Sequence, residues 1–251
     1  MREFVVDEVP GISFNLFSIT HFVCLSILLV GLILIYINRH KIEKLSKPTK
    51  TKIKIIMVSI WLLNRLVYIG SYMYCGIYDW RTNLPLHFCF ITGYLFVIAI
   101  LFNKKDLLKV VYFFAFMGPL TATIWPDLRS SFDYLIFYEF FISHHLFVLF
   151  IFFLFYMENL KIGKNDIYKG IFWANVIFLG AFVFNNYFGT NYIMSEELPD
   201  HILKLYPFLK SINYPIIILE LTGLTVAFLS YIPVYLRNKE NKRLQDKESL
   251  L

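Results

Sequence analysis

The stretch Tyr138 to Phe153, YEFFISHHLFVLFIFF, has the length and apolarity of a membrane span, yet it carries Glu139, His144 and His145. Ionisable groups are costly inside hydrocarbon unless they face a partner, a cavity or water. An imidazole placed there is suited to moving a proton near neutral pH. A neighbouring imidazole can in turn convert a thiol to its nucleophilic thiolate. The chain has three cysteines. Cys24, on an otherwise apolar stretch, reads as packing, and Cys75, at an outer helix end, has no assigned chemistry. Cys89 lies two residues after His87, in a region with further polar groups.

The elements that must position these groups follow from composition. At 58% hydrophobic and 17% charged over 251 residues, the chain lacks the polar surface of a soluble domain and is expected to be a membrane protein. Apolar runs bounded by charge predict an all-α bundle of seven transmembrane helices, at about 15–37, 53–74, 85–102, 107–125, 132–157, 167–188 and 214–236. The third and fourth form a tight hairpin through NKKD. With no internal repeat or soluble segment, residues 1–251 read as a single transmembrane domain. The odd number and irregular spacing of the cysteines exclude a disulfide framework and a paired-cysteine zinc motif. The acidic start MREFVVDEVPG, followed by a long apolar run, does not read as a cleavable signal peptide.

Charge placement gives the orientation. The segments after the first, third, fifth and seventh helices hold Arg39, Lys41, Lys44, Lys47, Lys50, Lys52 and Lys54; Lys104, Lys105 and Lys109; Lys161, Lys164 and Lys169; and Arg237, Lys239, Lys242, Arg243 and Lys247. The other side holds Arg2, Arg81, Arg129, Lys204 and Lys210. The positive-inside rule then puts the N-terminus outside and the C-terminus in the cytoplasm of a multi-pass cell-membrane protein. It also accounts for the net charge of +6 without a nucleic-acid partner.

Orientation assigns each polar residue a depth, at about 1.5 Å per residue. His21, His87, Cys89, Thr121, Glu139, Asn185 and Glu220 fall in the outer half, and Arg65, His144 and His145 near the middle. The inner halves are almost purely apolar. This pattern predicts an outward-opening polar cavity, with His21, Glu139, His144 and Glu220 on its wall. The competing reading is structural: polar side chains also join membrane helices, at about 0.6 kcal/mol per bond. For the combined set of Arg65, His87, Cys89, Glu139, His144 and Glu220, burial for packing alone is costly, which favours a site.

Helical geometry narrows the pairings. At about 100° per residue, Glu139 and Ser143 share a face while His144 and His145 diverge. His87 and Cys89 are about 200° apart, which matches Cys89 to a histidine on another helix, with His144 the candidate. Depth stands against this, because His144 is expected about two turns below Cys89; helix tilt would close part of that gap.

Five stretches carry a resemblance: LPLHFC (Leu84 to Cys89), YFFAFMGPLTATIWPDL (Tyr112 to Leu128), FYEFFISHH (Phe137 to His145), NNYFGTNYIM (Asn185 to Met194) and YPIIILEL (Tyr214 to Leu221). In this order they resemble the bacterial YwaF-like integral membrane family, related to a eukaryotic TMEM-type acyltransferase of ether phospholipids. The resemblance implies a membrane-embedded cysteine–histidine pair that forms an acyl-enzyme on lipids, with no cofactor. The family histidine falls on His144, and His145 replaces a glycine of the family's Ser-His-Gly. The family cysteine position falls on Leu86. Cys89, three residues later on the same helical face, is the candidate to replace that nucleophile; the alternative is that this bacterial branch has lost the nucleophile and has another activity. Thr121, Asn185, Asn191 and Arg65 are candidates to hold substrate or oxyanion.

Three functions follow from this reading. The first is a lipid acyltransferase or lipid hydrolase using Cys89 and His144, with membrane lipids as substrate. The second is a transporter or receptor for a small polar solute, which the lack of an inverted repeat disfavours. The third is a zinc-dependent hydrolase using His21, His87 and His144 or His145. No two of these histidines have i, i+4 spacing, so no metal site is expected.

Overall fold

A computed structural model describes residues 2–5, 14–128, 131–211 and 215–248. Every regular element among them is a helix. The main ones are α1 (Ile19–Ile37), α2 (Lys47–Tyr74), α3 (Phe88–Leu101), α4 (Lys105–Ile124), α5 (Leu135–Met157), α6 (Lys164–Phe188) and α7 (Pro215–Glu248).

Six of these helices, all but α3, are long and apolar enough to cross a membrane. The third expected span is shorter than its apolar run suggests. Its 14 residues rise only about 21 Å, against a hydrocarbon core of about 30 Å. The reason is local. Pro85 disfavours helical backbone at Leu84, and both Leu84 and the cap residue His87 are extended around a turn at 85–86, so α3 begins only at Phe88. Conversely, α2 starts at Lys47, capped by the Ser46 hydroxyl with Pro48 in its first turn, well before the expected Ile53. The lysines at 47, 50, 52 and 54 thus form a helical turn rather than a loop. Of the expected seventh span, Tyr214 lies outside the described residues, and the helix runs on past Leu236 to Glu248.

Helices α4 and α5 form the centre. Helix α5 packs against α1, α2 and α4, and α4 also touches α3, α6 and α7. More than half of each central span is buried, whereas the outer helices bury under a third. The core is aromatic: Phe96, Tyr112, Phe113, Phe147, Phe155 and Tyr156 are almost wholly buried. The buried Tyr112 hydroxyl donates to the Ser230 carbonyl on α7 (3.0 Å), so it is not stranded. The outer helices expose Leu63, Leu66, Leu179 and Leu221, as lipid contact requires. Two glycines set the spacing around α3. A Cβ at Gly93 would lie 2.0 Å from the Trp61 ring of α2, and one at Gly118 would lie 2.6 Å from Phe88.

The four basic segments meet at one end of the bundle. Arg237 donates to Glu43 (2.7 Å), to Asn159 (2.8 Å) and to the Phe155 carbonyl (3.0 Å). Lys50 reaches the Met157 carbonyl (2.5 Å), and Lys54 pairs with Glu158 (3.2 Å). Orientation signals from separate loops are thus a single cationic surface, tied together through Glu43 and Glu158.

Candidate functional site

A cavity between α2, α3, α4 and α5 is lined by Trp61, Arg65, Cys89, Phe90, Pro119, Ser143, His144 and Phe147, with about 230 Å³ of empty space including its mouth. Each helix contributes for a local reason. On α2, Trp61 and Arg65 are four residues apart and share a face. On α5, Ser143, His144 and Phe147 occupy adjoining positions on the inward side. On α4, Pro119 falls in a five-residue π-helical turn, Phe116–Leu120. Proline removes one backbone donor, and the wider turn accommodates it. The Thr121 hydroxyl donates to the Phe116 carbonyl (3.2 Å), and Thr123 donates to the Pro119 carbonyl (2.9 Å).

His144 is held in a defined state. Its Nδ1 lies 2.7 Å from the Phe140 carbonyl, which can only accept, so Nδ1 carries the proton and Nε2 keeps its lone pair. The ring stacks on Phe140 at 4.2 Å, and the Ser143 hydroxyl lies 3.1 Å from Nδ1. The imidazole is thereby fixed in position and tautomer, with Nε2 as its basic nitrogen.

Arg65 is caged. It forms an ion pair with Glu139 of α5, both side chains being more than nine-tenths buried. Its Nη2 donates to Asn64 (3.1 Å), and its guanidinium lies over the rings of Phe90 (4.2 Å) and Tyr68 (4.8 Å). Its buried Nε has no hydrogen-bond acceptor among the described residues. The cavity thus joins a thiol, a basic imidazole nitrogen and a fixed cation with an uncommitted N–H.

The other residues expected at a shared site are placed elsewhere. His21 is fully buried, but its Nδ1 accepts from the Phe17 amide (3.0 Å) and its Nε2 donates to the Thr123 carbonyl (3.0 Å). It ties the start of α1 to the end of α4 and does not line the cavity. Glu220 on α7 accepts from Asn175 on α6 (3.1 Å), away from the cavity wall. His145 points toward Phe141, and its buried Nε2 has no partner among the described residues. His87 packs edge-on against Tyr192 at 5.0 Å.

Asn185 and Asn191 organise the chain after α6. Asn185 donates to the Tyr192 carbonyl (2.7 Å) and Ser195 (2.8 Å), and it accepts from Thr190 (2.7 Å) and the Tyr192 amide (2.9 Å). That satisfies its full hydrogen-bonding capacity. Asn191 receives the Glu196 and Glu197 amides in the same way. The loop so formed presents Tyr192, whose hydroxyl donates to the Trp80 carbonyl and accepts from the Leu84 amide. Burial raises the Tyr192 phenol above its ordinary range, so it remains a donor. Through this residue the loop after α6 fixes the segment that leads to Cys89.

The sequence reading did not single out Trp61, Phe90, Pro119 or Phe147. The i, i+4 spacing of Trp61 and Arg65, and the Gly-Pro pair inside an apolar run, were available signals. Phe90 had none, because its place over Arg65 depends on the packing of α3 against α2. Among the described residues, no three His, Cys, Asp or Glu side chains gather where they could hold a metal ion. The zinc arrangement through His21, His87 and His144 or His145 is therefore not assembled.

Fold and site define a polytopic membrane protein whose helix bundle holds a small cavity lined by apolar and ionisable side chains together. The chain belongs to the TMEM164 family, whose model matches residues 16–232. It is also similar to a protein of Treponema pallidum (strain Nichols), described as an uncharacterized protein, at 26% identity over 130 residues. That match covers 51% of this chain and 53% of the relative, so it spans about half of each. No solved structure matches.

Proposed function

We propose that the chain is a membrane-embedded lipid acyltransferase or lipid hydrolase, with Cys89 as nucleophile and His144 as general base. The observation that carries this is the cavity itself: helices distant in sequence bring Cys89, His144 and Arg65 to one wall. Membership of the family supports a multi-pass membrane protein, and the acyl chemistry rests on the side chains.

In this mechanism Nε2 of His144 takes the proton from Sγ of Cys89. The thiolate attacks the carbonyl carbon of an ester-linked phospholipid, forming the C–S bond and a tetrahedral oxyanion. Arg65 offers its free Nε–H and its charge to that oxyanion, and Glu139 keeps the guanidinium in place. Collapse breaks the ester C–O bond, and the leaving lysolipid oxygen takes the proton back from His144. Water or a second lysolipid hydroxyl then attacks the thioester, with His144 again accepting the proton and returning it to sulfur. The charge distribution supports a cell-membrane protein with its N-terminus outside and the short α3 as a seventh membrane-embedded helix. The cavity then belongs to the outer part of the bilayer.

The test uses the purified chain in phosphatidylcholine nanodiscs carrying a labelled oleoyl ester, with a lysophospholipid acceptor. Expected are labelled product and a hydroxylamine-labile acyl adduct on the protein. Cys89→Ala should remove the adduct, and His144→Ala should slow turnover by about 10²-fold or more. A fully active Cys89→Ala protein would remove the thiol mechanism.

A further inference from the structure

A second cavity opens at the basic end of the bundle. Its rim carries Lys54 of α2, Asn103 and Lys104 of the α3–α4 turn, Lys105 of α4 and Glu158 after α5, and its floor includes Ile100 and Leu108. It is far from the candidate active site: Cys89 and Ile100 lie on α3 about 16 Å apart along the axis. Three ammonium groups face one carboxylate. Glu158 is already shared between Lys54 (3.2 Å) and Lys105 (3.9 Å), and among the described residues no carboxylate pairs with Lys104. The pocket therefore retains net positive charge.

A soluble anion would account for the lysines but not for the apolar floor. Leu101 and Phe102, next to Ile100, are exposed large hydrophobic groups at the same turn. A ligand matched to all of this has a phosphate for the lysines and a hydrocarbon chain to lie along the end of α3. We infer that this cavity is a binding site for the phosphate headgroup of an anionic phospholipid. Pockets where lysines meet an apolar wall between membrane helices suit such headgroups. The site is separate from the acyl chemistry and does not depend on it.

The test is native mass spectrometry of the purified full chain, titrated in parallel with dioleoylphosphatidylglycerol and dioleoylphosphatidylcholine. The first phosphatidylglycerol adduct should form at about tenfold lower concentration than the phosphatidylcholine adduct. Lys54→Gln/Lys104→Gln/Lys105→Gln should abolish that preference, while the triple arginine variant at the same positions keeps it. Lys161→Gln/Lys164→Gln/Lys169→Gln, which removes the same charge elsewhere, should also keep it. Equal binding of the two lipids by the native chain overturns the inference, as does a preference that survives the first triple variant in folded, monodisperse protein. If millimolar inorganic phosphate displaces the phosphatidylglycerol adduct and raises the melting temperature as much as the lipid does, the pocket serves a soluble phosphate and the lipid assignment fails.

Discussion

Arg65 and Glu139 form a buried ion pair that joins α2 to α5 directly beside Cys89 and His144. Two charges in such a place support one another, and removing either leaves the other desolvated and uncompensated. The pair also fixes the guanidinium against Phe90 and Tyr68. Structure and proposed chemistry thus depend on the same contact.

The first prediction concerns that pair. Arg65→Ala or Glu139→Ala alone should destabilise the bundle by about 3–5 kcal/mol. Arg65→Met/Glu139→Leu should be much closer to the native protein in stability while losing acyl transfer. Thermal unfolding in detergent separates the cases, and a double variant less stable than both single ones would contradict the account.

His21 is expected to be structural. His21→Ala removes one bond to the end of α4, at the Thr123 carbonyl, and one local bond from the Phe17 amide, with a loss of about 1–3 kcal/mol. Turnover per folded molecule should stay within about twofold, since the residue does not line the cavity. A large fall in turnover at unchanged stability would return His21 to the site.

Cys89 should be distinguishable from the other thiols by its partner. In a Cys24→Ala/Cys75→Ala background, a membrane-permeant alkylating reagent should modify Cys89, and His144→Ala should slow that reaction about tenfold or more by removing the base. Intact-mass time courses give the rates. An unchanged rate in folded His144→Ala protein would separate the two residues.

Asn185 anchors the loop that carries Tyr192, so Asn185→Ala should strand the Tyr192 amide and free Ser195 and Thr190. The expected cost is about 1–3 kcal/mol, with faster proteolysis between 190 and 199. Limited proteolysis followed by mass mapping would detect the cut, and unaltered cleavage would argue against this role.

Orientation can be tested with a cysteine at Lys44, an exposed position in the loop after α1, in a cysteine-free background. It should resist an impermeant maleimide applied to intact cells and react after lysis. Ready labelling in intact cells would reverse the assignment.

The sequence alone established a membrane helix bundle, because the apolar runs and the charges that bound them are local properties of the chain. Membrane-spanning length, the basic segments and the exposed leucines all follow from that pattern. It also singled out His144, Glu139 and Arg65, since an ionisable residue in an apolar run is conspicuous without any neighbour. What composition did not hold was partnership. The start of α3 depended on Pro85 and the extended backbone around it, and shortened the third apolar run to a 14-residue helix. His21, His144 and His145 look alike in sequence. Packing gave His21 two main-chain partners, placed His144 in the lining of the cavity that also holds Cys89, and left the buried Nε2 of His145 without a partner among the described residues, its ring against Phe141. Glu139 and Glu220 diverged in the same way, one toward Arg65 and the other toward Asn175. Depth along a helix follows from counting residues, but the direction a side chain faces within a bundle depends on how the helices rotate and approach one another. That is set by contacts such as Gly93 on Trp61 and the π turn at Pro119, which exist only once the helices are assembled.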